Sequence, residues 1–459
     1  MATYRVDNQS ELNSAIQKAR GGDSILLSAG RYGKLELDSD LTSMKHVKFG
    51  SSVTIASADT SRPAVVGALN IDGAANVSLS GLKFDHVGGG GSSFRISDSS
   101  GVSVKRSVFD GQDGRDGYGT GHGLKVSNSS GIVVEDNTSF NFANGFTFLN
   151  VDNLVMRNND VSRMGADGAR FAGVNGAKIL DNTFHDQDSS PWLRHKDAIQ
   201  FWTSDREGPS RNVVISGNDF SNAEVAQTIF MGNDLARRDP TKGYRDILIE
   251  DNVIRGGHSH GISIEHVNGA VIRDNLLERE RGVPDKPIYT PIINVGDKSV
   301  NVTIVGNEVS SVQRAANATW RVAGNDITDD KAYQHWLGDA ASGGFDRSAS
   351  ELYRSWIQGS SARSSGDLRM AALSAPDDDT FRFDAPEEGS VRAARDGGHA
   401  AADLDAARAG DVPDDMAERA GGPADDLGWG GGQGDLCLQA QAADGPGNDL
   451  PFAAHPELF

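Results

Sequence analysis

The sequence predicts an all-β chain: a right-handed parallel β-helix over residues 1–330, opened by a capping helix and followed by an acidic, largely disordered extension over residues 331–459. A recurring asparagine, the alternating apolar residues around it, and the loss of both after Asp330 carry that prediction. The segments "IVVEDNTSF", "LVMRNNDV", "AKILDNTF", "VVISGNDF", "ILIEDNVI", "AVIRDNLL", "VTIVGNEV" and "RVAGNDI" share Asn137, Asn159, Asn182, Asn218, Asn252, Asn275, Asn307 and Asn325. Their intervals are 22, 23, 36, 34, 23, 32 and 18 residues. A base period near 22 suits one coil of three short strands, in which each inward side chain stacks on its equivalent one coil away. Asparagine fits the corner because it tolerates left-handed backbone and its amide can bond to the same amide in the next coil. These asparagines are therefore expected to build the solenoid.

Upstream, "VSLSGLKF" and "VSVKRSVF" extend the ladder. "SELNSAIQKARGGDSILLSAGRYG" reads as a capped amphipathic helix, then a strand and a glycine turn, which together would cover the open strand edges of the first coil. Beyond Asp330 the period stops. Residues 331–459 hold 10 Lys and Arg against 23 Asp and Glu, which is −13 of the chain's −20. High charge with few large apolar residues predicts disorder there, with one short helix near 348–358. The acidic balance excludes general nucleic-acid binding, which needs a basic surface. No apolar run approaches the roughly 20 residues of a membrane span. Cys437, the single cysteine, excludes an internal disulfide and a cysteine-based zinc cluster. The opening residues lack the basic, apolar and small-residue regions of a cleavable signal. The expected location is outside the cell or at its surface by another route, with the cytoplasm left open, and the oligomeric state is not legible.

Insertions in a repeat fold emerge as corner loops, and such loops usually form the binding surface. The intervals of 36, 34 and 32 direct attention to about residues 183–306. The first two inserts carry Arg194, His195, Lys196, Arg206, Arg211, Arg237, Arg238, Lys242 and Arg245. Basic side chains on an acidic body suit a cleft that attracts a polyanion such as an anionic polysaccharide. Aligning "GFTFL", "GARFA", "AIQFW", "TIFMG", "GISIE" and "PIINV" sends Phe146, Phe148, Ala169, Phe171, Ile199, Phe201, Ile262 and Ile264 inward, because strand side chains alternate. Arg170, Gln200, Trp202, Phe230, Ser263 and Glu265 then face outward. Asp167, Asp197, Gln227 and His260, just ahead of their strands, are expected to form one column along a corner.

The opening helix and the ladder resemble the pectin-lyase-like superfamily of β-helical polysaccharide enzymes over about residues 1–330. "ADGARF", "KDAIQF" and "SHGISI" are similar to the layout in polygalacturonases, which matches Asp167, Asp197, and His260 with Gly261. That pattern is incomplete, because Asn-Thr does not precede Asp167, Asp197 is not doubled, and no Arg-Ile-Lys follows. "SHGISIEH" also resembles mannuronan C5-epimerases and alginate lyases, although their Tyr-Gly-Phe-Asp-Pro-His stretch is absent. The second resemblance implies C5 proton abstraction from a uronate, followed by β-elimination or epimerisation. It would make His195 or His260 the base, Lys196 an alternative base, Asp197 the orienting partner of a histidine, and Arg170 and Arg194 the carboxylate clamp. Gln200, Trp202, Gln227, Phe230, Arg238 and Glu265 complete the expected binding surface.

"FDGQDGRDGYGTGHG" spaces Asp110, Asp113 and Asp116 among glycines, an oxygen-rich loop that could hold Ca2+, although it also reads as a plain glycine turn. Proton abstraction by these side chains requires no cofactor. The leading expectation is thus an enzyme of acidic polysaccharides, a lyase or C5-epimerase. A polygalacturonase-like hydrolase and a non-catalytic glycan-binding β-helix, tailspike-like or adhesin, are the competing readings.

Overall fold

The computed structural model describes residues 1–41, 44–86, 92–111, 119, 121–187, 196–222, 226–256, 258, 260–279, 290–313 and 319–328. The chain divides into the units Met1–Lys331 and Ala332–Phe459, and every described residue belongs to the first. The expected acidic extension and its helix near 348–358 lie outside the described residues.

Among the described residues, 32 strands join in one sheet, and neighbouring strands run parallel. The chain winds through three ladders in turn. A first ladder runs through Asn175–Leu180, Arg211–Ser216, Tyr244–Glu250 and Val267–Arg273. A second runs through Thr183–His185, Asp219–Asn222, Val253–Gly256 and Leu276–Arg279. The third runs through Phe146–Arg157, Ala169–Ala172, Asp197–Phe201, Gln227–Met231, His260–Ile264 and Ile292–Val295.

The inward side chains fill the solenoid. Phe146, Phe148, Ala169, Phe171, Ile199, Phe201, Ile262 and Ile264 are all buried, as alternation requires. Phe148, Phe171 and Phe201 stack coil on coil, with ring centroids 5.3 and 4.7 Å apart.

At the corner before the second ladder, the Asn137 amide nitrogen donates to Asn159 Oδ1 at 3.0 Å. The relay continues through Asn182, Asn218, Asn252, Asn275 and Asn307 to Asn325, at 2.9–3.0 Å per step. Each Oδ1 also accepts the backbone N–H of the asparagine before it, as Asn182 Oδ1 does from Asn159 at 3.0 Å. The left-handed turn is made one residue earlier than the sequence suggests. Asp136, Asn158, Asp181, Gly217, Asp251, Asp274, Gly306 and Gly324 have positive φ. They turn the chain, which frees the following asparagine to point inward and bond. Upstream, the ladder passes to serine, where Ser107 N–H donates to Asn137 Oδ1 and Leu82 N–H donates to Ser107 Oγ.

The opening helix is Gln9–Lys18, with Leu12, Ala15 and Ile16 buried. Its cap is Asn8, whose Oδ1 accepts Glu11 N–H at 3.0 Å while the Glu11 carboxylate returns to Asp7 N–H at 2.8 Å. That reciprocal pairing satisfies N–H groups a helix start leaves open.

Candidate functional site: the third ladder

Among the described residues, two excursions leave the coil after strands of the third ladder, at 202–210 and 232–243.

Asp167, Asp197, Gln227 and His260 do stack on one corner. Asp197 N–H donates to Asp167 Oδ1 at 3.0 Å, Asp197 and Gln227 are partners in register, and Gln227 Oε1 meets His260 Nδ1 at 2.9 Å. The row extends two coils further than the sequence reading placed it: Asp167 N–H donates to Asn144 Oδ1 at 3.3 Å, and the Asn144 amide meets His122 Nδ1 at 2.9 Å. A polar residue followed by a small one announces every member: His122-Gly123, Asn144-Gly145, Asp167-Gly168, Asp197-Ala198, Gln227-Thr228, His260-Gly261. Close coil contact explains the small residue, since a Cβ on Gly145 would lie 2.3 Å from the Gly168 carbonyl oxygen.

This row is turned inward. Asp197 has no exposed surface, Asp167 is 4% exposed, and Asn144, Gln227 and neighbouring Lys196 are buried, whereas His260 is half-buried. Asp197 shares the parity of inward Ile199, so it lies at the edge of the interior. Gln227, and not Asp197, is the ring partner of His260 among the described residues. With the Gln227 oxygen as acceptor, the proton of this bond belongs to His260 Nδ1. The neighbouring His258 accepts His260 N–H on its Nδ1 at 3.0 Å, and the two rings meet edge to face with centroids 4.9 Å apart.

The outward row is Thr147, Arg170, Gln200, Phe230, Ser263 and Asn294, in register from coil to coil. Arg170 Nε bridges Asp167 Oδ2 and Gln200 Oε1, each at 3.2 Å, and its guanidinium lies 4.6 Å from the Trp202 ring centre. Three contacts hold this cation in place while it stays half-buried. The Phe230 ring lies parallel to that of His260, with centroids 6.0 Å apart. Gly232 gives it room, because a Cβ there would come within 2.9 Å of Phe230.

Among the described residues, the basic side chains of the inserts do not converge. Glu265, 8% exposed, is held by Arg237 Nη2 at 2.9 and 3.0 Å, which ties the short helix Asp234–Arg238 to the solenoid. Arg238 pairs with Asp205 at 3.2 Å, and Arg206 lies 3.7 Å from Glu207. Arg211 and Arg245 are in register on the first ladder, a different face. Tyr244 is fully buried, and its hydroxyl donates to the Gly232 carbonyl. Burial, with the Glu265 and Asp234 charges, holds that phenol well above its usual value.

Arg194 and His195 lie outside the described residues, as do Asp113 and Asp116. Asp110 pairs with Lys83 at 2.7 Å. Among the described residues, no three His, Cys, Asp or Glu side chains gather to hold a metal ion, and no helix is long and apolar enough to cross a membrane.

Residues 47–220 match the family model described as a right handed beta helix region. The chain carries a right-handed β-helix. The parallel β-helix expected from the asparagine ladder is therefore the architecture observed. Among solved structures, an alginate lyase from Paenibacillus sp. is 16% identical, over 71% of this chain and 94% of its own, with a TM-score of 0.31. The A-module of a mannuronan C-5 epimerase from Azotobacter vinelandii is 15% identical, over 71% and 93%, with a TM-score of 0.36. A surface protein and adhesin of Streptococcus pneumoniae is 15% identical, over 69% and 96%, with a TM-score of 0.43. No curated protein matches the chain in sequence. An enzyme of either kind and an adhesin stand side by side here, so these likenesses assign no activity.

Proposed function

We propose that the protein acts on an acidic polysaccharide laid along the outer face of the third ladder, abstracting the C5 proton of a uronate as a lyase or C5-epimerase does. The observation that carries this reading is the outward row itself. It offers a braced cation on an aromatic ring at Arg170 and Trp202, an amide at Gln200, and a second ring at Phe230 beside a tautomer-fixed histidine. Sugars stack on such rings, and a guanidinium takes a carboxylate. His260 serves as base through Nε2, and Gln227 holds its ring.

Arg170 and Ser263, on the His260 strand, are three coils apart, or about 14 Å at ~4.8 Å per coil. Arg170 therefore holds the carboxylate of a unit some way from the one that reacts. A protein handling such polymers meets them outside the cell or at its surface.

The burial of Asp167 and Asp197 weighs against the hydrolase, whose acid and base must both reach the glycosidic bond. The same burial favours one second reading, a glycan-binding surface without turnover. Incubation with alginate and with pectate separates these cases. A lyase raises the ultraviolet absorbance of unsaturated uronate, an epimerase takes up solvent deuterium at C5, and a hydrolase frees reducing ends without absorbance. A binding protein does none of these. Replacing His260→Gln is expected to lower turnover by about 10²–10⁴ while leaving glycan affinity within a few-fold; full turnover in that variant removes His260 from the reaction.

A further inference from the structure

We propose that the Ser263 hydroxyl is a specificity-determining contact for the sugar, left without a partner in the fold so that a substrate hydroxyl or carboxylate supplies one. The inference rests on the uronate reading and adds a recognition residue to it.

Three other buried serines are fully used. Ser99, Ser107 and Ser129 each donate to the carbonyl two residues back, at 2.6–2.9 Å. Each also accepts a backbone N–H from the coil before it, at 3.1–3.2 Å. Ser263 is only 3% exposed, and among the described residues nothing bonds to its Oγ. A buried hydroxyl without a partner forfeits its hydration and gains nothing in return.

Position separates Ser263 from a mere packing fault. Ser139 Oγ also lacks a partner, but it sits between Phe109 and Val161 in the inward row, where no ligand reaches. Ser263 lies in the outward row, flanked on its strand by inward Ile262 and Ile264 and across the coils by Phe230 and Asn294. Those two neighbours carry longer side chains and are half-buried, whereas Ser263 between them is 3% exposed. A sugar ring stacked on Phe230 would bring its oxygens toward this serine, one coil from Gln227, the amide that holds His260. A hydroxyl both donates and accepts, so it suits a sugar hydroxyl and a uronate carboxylate alike.

The test measures binding of mannuronate, guluronate and galacturonate tetramers to the parent, Ser263→Ala and Ser263→Val, together with each protein's unfolding midpoint. Ser263→Ala is expected to unfold at the parent's midpoint or above it, since no bond in the fold is lost, and to bind the preferred tetramer about tenfold more weakly. Ser263→Val, which removes the hydroxyl and adds bulk, is expected to bind more weakly still. A lowered midpoint for Ser263→Ala means that the hydroxyl serves the fold and overturns the proposal. Unchanged affinity in both variants, with the parent binding, overturns the contact and leaves the uronate reading standing. A parent that binds none of the three tetramers overturns the uronate reading and this proposal with it.

Discussion

Asn182 is bonded on every side: its oxygen accepts Asn159 N–H and the Asn159 amide, while its own amide donates to the Met156 carbonyl and to Asn218. Asn182→Ala would strand several buried polar groups at once. The expected loss is about 2–4 kcal/mol in a denaturant titration, against a loss of at most about 0.5 kcal/mol for Asn13→Ala on the exposed face of the opening helix. The ladder was legible because one residue type recurs at a near-constant period. The inward turn of Asp167 and Asp197 was legible as well, since both share the parity of Ala169 and Ile199, yet two aspartates before a strand read more readily as outward chemistry. His185 provides a pH handle. Burial alone would lower its value, but the hydrogen bond to Asp186 and the charge of Asp160 more than offset that and raise it. The folded state then binds the proton more tightly. The resulting stability is complete below the unfolded histidine value of about 6.5 and is lost as pH climbs through the higher folded value. Unfolding midpoints of the parent and His185→Gln are therefore expected to differ at mildly acidic pH and to converge above neutrality; parallel pH curves would contradict the assignment.

At the scale of elements, the opening helix seals the first coil with Leu12, Ala15 and Ile16. Its cap at Asn8 is expected to contribute about 1 kcal/mol, so Asn8→Ala should lower stability by that amount while the far coils keep their amide-exchange protection. A uniform loss of protection would mean that the first coil governs the whole solenoid. The strands were readable because alternation has a period of two whatever the loops do. The loops were not readable. Arg237 meets Glu265 across 28 residues, and Arg238 meets Asp205 across 33. No local pattern records such pairings, so a basic cluster on paper becomes a set of ion pairs that brace the inserts. Arg170 escapes that fate in part, because its neighbours Gln200 and Trp202 leave it half-buried at the surface.

At the scale of the molecule, repetition turns residues from six coils into one surface. Inward, the third ladder shows phenylalanine stacks; at its corner runs a buried polar row from His122 to His260; outward lies the row from Thr147 to Asn294. Sequence spacing located all three, whereas their depth came only from the fold. Arg206, Arg237 and Arg238 of the inserts are paired with carboxylates, so recognition of a polyanion depends on where a held cation and rings coincide. The most direct test is the affinity of a uronate tetramer for two double variants, Arg170→Ala with Trp202→Ala, and Arg211→Ala with Arg245→Ala. Loss of at least tenfold in the first pair, with the second pair unchanged, is the predicted result. Equal affinity in the first pair, or a loss confined to the second, would move glycan recognition off the third ladder and contradict the account.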